Sequence, residues 1–134
     1  MPGPPHLGSC YKFVTSPKVN WEAAEDSCDS MLADLATLET EEEIIWIKGY
    51  RSYHNQLQSF AWIGGYKVDD SWYWKGDKVD TPITTADWAP GHPDDVQNNT
   101  CLGLFHETQS GAFEFGDNDC DFAAGYICEK SAGE

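Results

Sequence analysis

Residues 20–31 read NWEAAEDSCDSM. Trp21, Ala24, Cys28 and Met31 recur at spacings of three and four, which lays them along one face of a helix. Asn20 stands directly before them and carries the short amide that caps a helix N-terminus. A second helix starts at Thr40, where Thr40 and Glu43 form a T-x-x-E capping box. Ile44 and Ile47 supply its buried face, and the pattern carries it through about Tyr50. Upstream, CYKFV (10–14) alternates as a strand does. Downstream the character changes to short aromatic or β-branched runs, FAWIGG (60–65), SWYW (71–74), CLGLF (101–105), GAFEF (111–115) and GYICEK (125–130), separated by Gly, Asp, Asn and Pro. Helices followed by antiparallel strands make an α+β domain. The segment between Trp74 and Cys101 shows little regular pattern, and unstructured loops of that length inside a compact domain are uncommon and usually functional.

The chain has 134 residues, enough for one domain with a real hydrophobic core. Six Trp, six Tyr and six Phe supply bulky core material, and no apolar run is long enough to span a membrane. Eight basic against 23 acidic residues give a formal charge of −15, which argues against nucleic acid and anionic membranes as partners. Cations, neutral sugars or a basic protein fit that charge better. Residues 1–9 are Pro- and Gly-rich and read as a loose arm or short edge strand. MPGPPHLGS lacks the apolar core of a signal peptide, so the chain reads as a mature or recombinant form.

Five cysteines are present: Cys10, Cys28, Cys101, Cys120 and Cys128. None forms a CxxC pair and no His stands at zinc-finger spacing, which argues against structural zinc. Scattered cysteines in a small acidic chain suggest an oxidising compartment, and an odd count leaves one over for an interchain bridge or a free thiol.

The W-x-x-A-x-x-x-C of the first helix (Trp21, Ala24, Cys28), WIGG at Trp62–Gly65, the W-x-x-G-x-P of the long segment and Cys101, Cys120 and Cys128 at their spacings together resemble a C-type lectin-like domain. The resemblance covers residues 10–130, with 1–9 as an N-terminal arm and 131–134 as a C-terminal tail. WAPG and WIGG look most like invertebrate secreted C-type lectins. The resemblance implies two helices plus antiparallel sheets with a long ligand-binding loop, and disulfides Cys28–Cys128 and Cys101–Cys120. Cys10 is left over: long-form members carry two cysteines in an N-terminal hairpin, CYKF resembles the second, and no earlier cysteine exists here. It is the candidate for a disulfide-linked homodimer.

In sugar-binding members of such a family a calcium ion sits by the long loop, and calcium needs about six to eight oxygen ligands. The first ligand source is an Xaa-Pro-Xaa triplet, Glu-Pro-Asn for mannose-type and Gln-Pro-Asp for galactose-type sugars. Here it is His92-Pro93-Asp94. Asp94 matches the galactose-type acid, whereas His92 offers a nitrogen from which a hard cation gains little. The second source, two residues before the loop cysteine, is Asn99, with Thr100 in place of an acid. The third is a Trp-Asn-Asp before the next cysteine, represented by Phe115-Gly116-Asp117; shifting the frame to Asn118-Asp119 would set the pair against the disulfide. The sugar site expected from the resemblance is therefore His92, Asp94, Asn99 and Asp117, with Asp94, Asn99 and Asp117 as the metal ligands if calcium is held. Asp95 could serve an auxiliary calcium, but Thr100 and the short KVDDS turn argue against it.

Val96 stands where an aromatic often stacks on the sugar, leaving Phe113 or His106 as alternatives. Trp62, Trp72, Trp74 and Trp88 read as core or loop-support packing. Asn98-Asn99-Thr100 is a glycosylation sequon abutting the site. No Ser/Cys-His-Asp signature, nucleotide loop or H-E-x-x-H is present, so a binding protein and not an enzyme is expected. The expected function is a secreted, extracellular lectin for galactose, N-acetylgalactosamine or N-acetylglucosamine with reduced or absent calcium dependence, acting in agglutination or innate immune recognition. A protein- or mineral-binding member of the same fold is the alternative, motivated by the acidity and the thinned ligand set.

Overall fold

The computed structural model describes the chain except residues 1–4, 7–8, 55–59, 77–78, 85–87, 89–98, 107–112 and 132–134. At 5, 6, 9, 48–54, 105, 106, 113 and 131 only the backbone is described. The elements run β1 (Pro5–His6), β2 (Ser9–Val19), α1 (Trp21–Ser30), β3 (Asp34–Leu35), α2 (Glu41–His54), β4 (Phe60–Val68), β5 (Ser71–Trp74), β6 (Thr81–Pro82), β7 (Cys101–His106), β8 (Phe113–Asn118) and β9 (Ala124–Ser131).

Both helix starts follow their local chemistry. The Asn20 side chain accepts from the Ala23 N–H at 2.9 Å. Ala24 and Cys28 are buried, with Trp21 and Met31 half-buried at the edges of the same stripe. At α2, Glu43 N–H donates to Thr40 Oγ1 at 3.1 Å and Thr40 N–H to Glu43 Oε1 at 3.3 Å, the reciprocal pair of a capping box. Tyr11 of β2 also donates to Glu43, at 3.2 Å, fastening this cap to the sheet. The helix runs to His54, beyond the expected end at Tyr50, because the Ile44/Ile47 signal marks only its first turns.

The strands join in one nine-stranded sheet among the described residues, with β1-β2-β9-β4-β5-β6 as its main path and the β7–β8 hairpin on β4. All pairs are antiparallel except β4 with β9, which run parallel. The last strand thus inserts between the N-terminal β2 and the central β4. Residues Ala124–Cys128 of β9 and Phe60–Gly65 of β4 are buried without alternation, the pattern of strands covered on both faces. The Cys28–Cys128 disulfide, Cα–Cα 5.5 Å, locks α1 to β9. It closes a loop of about 100 residues, which stabilises by roughly 4–5 kcal/mol in the chain-entropy model.

The WIGG run has a physical reason at Gly65. A Cβ there would lie 2.4 Å from Leu102 Cδ2, at the point where the β4–β7 register shifts between Trp62 and Tyr66. Trp62 is fully buried, and its indole N–H is shared between the Val19 and Phe122 carbonyls at 3.1 and 3.2 Å. Among the described residues no helix is long and apolar enough to cross a membrane.

Candidate functional site

The segment from Trp74 to Cys101 is tied down at three points. At its start, Lys75 N–H donates to the Gly64 carbonyl and Ile83 N–H to that of Trp72, at 2.8 and 3.0 Å. Asp80 holds the turn between: its carboxylate accepts from Gly76 N–H at 2.9 Å and from the Tyr66 hydroxyl. Those bonds, first the Tyr66 hydroxyl and then Gly76, keep the Asp80 carboxyl below its ordinary range. The same bond, with burial second, pushes Tyr66 up to about 12.

The second point is Trp88, which forms a parallel β-bridge with Phe115 of β8. Its ring lies 5.2 Å from Trp72 and 6.0 Å from Phe115, the latter edge-on at 87°. Aromatic pairs at these separations contribute about 0.5–1.5 kcal/mol each. Trp62 and Trp74 are buried and Trp72 and Trp88 half-buried, so all four tryptophans serve as packing, as expected.

The third point is the exit. Lys67 N–H donates to the Thr100 carbonyl at 2.9 Å, and Cys101 and Cys120 are disulfide-bonded with Cα atoms 5.2 Å apart. Both pairings are those implied by the resemblance. Cys10 is a free, half-buried thiol on β2.

On β8, Phe115 is fully buried and Asp117 is 4% exposed. Alternation puts Asp117 on the same face as Phe115, and the register sets it opposite Leu102. Asn118 and Asp119 turn onto their own backbone: Asn118 Oδ1 accepts from Asp119 N–H at 2.7 Å, and Asp119 Oδ1 from Asp121 N–H at 2.9 Å. They form the turn before β9, which leaves Asp117 as the inward acid of this strand. Asn99 is half-buried, two residues ahead of the β7 cysteine. Asn99 and Asp117 therefore stand at the same, disulfide-bonded end of the β7–β8 hairpin. His92 and Asp94, with Pro93, Asp95, Val96 and Asn98, lie outside the described residues. His106 and Phe113 pair at the opposite end of the hairpin, four residues along β8 from Asp117 or about 13 Å at strand rise; their side chains are not described.

Of the family-type calcium positions, the described residues supply the Asp117 carboxylate and the Asn99 amide, while Gly116 contributes no side chain. Among the described residues no three His, Cys, Asp or Glu side chains converge as a metal site. Against about six to eight oxygens, these positions alone do not make a calcium cage.

Sequence reasoning missed a cleft of about 590 Å3 beside the exit of the long segment, between the first turns of α1, the β4–β5 stem and the Cys101–Cys120 disulfide. Its walls come from stretches far apart in sequence, so no local pattern announces it. Glu25, on its α1 wall, has its pKa raised, chiefly by burial and against the opposing pull of Lys75.

A family model described as the lectin C-type domain matches residues 17–130. Similar curated proteins include E-selectin of Equus caballus, 26% identical over 119 residues, and C-type mannose receptor 2 of Homo sapiens, 29% identical over 124. The matches cover 89% and 91% of this chain but only 19% and 8% of those relatives. Among solved structures, the C-type lectin domain of murine dendritic cell inhibitory receptor 2, in complex with N-glycan, superposes with a TM-score of 0.81 at 20% identity, covering 96% of this chain and 94% of that one. The SPL-1 complex with GlcNAc gives 0.78 at 26% identity, covering 95% and 90%. A calcium-independent type II antifreeze protein gives 0.75 at 23%, covering 96% and 90%, so the fold is shared beyond sugar-binding proteins.

Proposed function

The chain belongs to the C-type lectin domain family, and on that footing we propose that it is a secreted lectin that binds galactose, N-acetylgalactosamine or N-acetylglucosamine at the tip of its long segment with little or no help from calcium. The observation that carries this reading is Asp117. It is a carboxylate held 4% exposed beside the Phe115 platform on which Trp88 anchors the segment bearing His92 and Asp94. Asp117 already has an interaction within the fold, and a carboxylate has further lone pairs for a ligand's donors. In the proposed site Asp117 and Asp94 accept from sugar hydroxyls, Asn99 both donates and accepts through its amide, and His92 supplies a direct hydrogen bond where other members have a metal-binding oxygen. The GlcNAc complex of SPL-1, 26% identical to this chain, supports an amino sugar as ligand.

A single shallow site of this kind binds weakly, and linking two raises avidity without any new contact. The free Cys10 on β2 offers that link as a disulfide-bonded homodimer. Two such sites suit agglutination and innate recognition of cell-surface glycans. The second reading, a protein- or mineral-binding member of the fold, is favoured by the charge of −15 and by the antifreeze neighbour.

A glycan array probed in calcium and in chelator tests the choice. Binding to terminal galactose, N-acetylgalactosamine or N-acetylglucosamine in both conditions is expected; binding in neither would discard the lectin reading. On a non-reducing gel the native chain is expected to run as a dimer and Cys10→Ser as a monomer; a native monomer would remove the bridge.

A further inference from the structure

The cleft beside α1 has walls of both signs. Glu22, Glu25 and Asp26 line it from one helix face and Asp121 from beside the disulfide, while Lys75 from the β5 end and Lys67 of β4, itself paired with Asp70 at 3.8 Å, supply the cations. The carboxylates disfavour an anion in the cleft, and the Lys75 ammonium competes with an organic cation for Glu25. A carboxylate only accepts hydrogen bonds and an ammonium only donates them, whereas a hydroxyl does both. A neutral polyhydroxylated ligand therefore satisfies both walls at once.

The floor adds an apolar platform. Trp21 and Tyr66 line the cleft with ring centroids 6.1 Å apart and planes inclined at 56°. The polar tip of each ring is already engaged, Trp21 Nε1–H to the Ile63 carbonyl at 2.9 Å and the Tyr66 hydroxyl to Asp80. What remains for a ligand is ring surface held in a fixed orientation, so little ordering accompanies binding. A volume of about 590 Å3 lies within the range of small-molecule sites, about 300–1,000 Å3.

We propose that this cleft is a second, metal-free saccharide site, in which one hexose or N-acetylhexosamine unit packs its apolar face on Trp21 and Tyr66 and spans Glu25 and Lys75 with its hydroxyls. Partial burial raises the Glu25 pKa, and a hydroxyl donor beside the carboxylate offsets the hydration lost there. Asn99 and Asp117 are not among the described walls, so the site stands on its own residues, whether or not the long segment binds sugar.

Amide NMR of the oxidised full chain in chelator, titrated separately with galactose, N-acetylglucosamine, sulfate and spermidine, tests this. Saturable shifts are expected with a sugar at residues 21–26, 67 and 75. Glu25→Ala and Lys75→Ala each remove one polar contact from a partly exposed position, and each is expected to weaken those shifts about tenfold while leaving core resonances in place. Cleft shifts only with sulfate or only with spermidine, no saturable shift there with either sugar, or shifts indifferent to both substitutions would overturn the proposal. Shifts at Asp117 report the long-segment site separately, so either site can fail without the other.

Discussion

Trp88→Ala breaks the middle anchor of the long segment, and the structure sets the expected loss. A fully buried Trp→Ala change costs about 3–5 kcal/mol. Trp88 is half-buried, and its ring meets Trp72 at 5.2 Å and Phe115 at 6.0 Å. Roughly half the core value, about 2 kcal/mol, is therefore expected, most of it in the two ring pairs. Urea unfolding of the disulfide-intact protein should show a lower midpoint at unchanged slope, the mark of lost stability without a changed unfolded state. Trp88→Phe keeps one ring against Phe115 and should recover about half of the loss. If the segment presents the sugar site, Trp88→Ala should also weaken glycan binding at temperatures where the domain stays folded. A loss below about 0.5 kcal/mol, the range of an ordinary surface change, would refute the anchoring argument.

The other expectations rest on single contacts. Tyr66→Phe removes the bond to Asp80 and should cost about 1 kcal/mol at neutral pH, since the site is partly exposed. The lowered Asp80 pKa contributes stability that is present above the unfolded carboxyl pKa and lost as pH falls through the folded one. The raised Tyr66 pKa contributes stability that is present below about pH 10 and lost as pH rises through about 12. Unfolding free energies measured across both ranges should be flatter in Tyr66→Phe than in the native chain; parallel curves would contradict the pairing. Replacing Cys101 and Cys120 together by Ala opens a loop of about 20 residues and should cost about 3 kcal/mol by the chain-entropy model, read by calorimetry against the native protein. A loss near zero would mean that the Thr100–Lys67 bond and the β7 pairings already hold the exit of the long segment.

What was legible in the sequence is what local chemistry determines. The Asn20 cap, the Thr40–Glu43 box and the Trp21/Ala24/Cys28 face are written within a turn or two and stand in the structure as read. The packing role of the four tryptophans followed from the habits of strand aromatics, and the count back from Cys120 reached Asp117, which is buried in the structure. The end of α2 was less legible because only Tyr50 and Tyr53 recur after Ile47, and they mark the stop of a helix weakly. The insertion of β9 between β2 and β4 is a contact between chain ends, to which a period-two pattern is blind. For the same reason the Tyr66–Asp80 bond and the cleft were unreadable: α1, β4, the residues after β5 and the β7 disulfide meet only after folding. Asn118 and Asp119, which resemble ligands in DNDC, are occupied by backbone N–H groups of a turn.

In the proposed function His92 carries sugar binding where a calcium ligand stands in related sites. The direct measurement is calorimetric titration of the strongest array glycan into the native chain and into His92→Glu, each in chelator and in excess calcium. Native affinities that agree within about threefold in the two conditions, together with a His92→Glu variant that binds only when calcium is present, are predicted. Native binding that vanishes in chelator would contradict the account, because it would put the metal back where His92 is assigned.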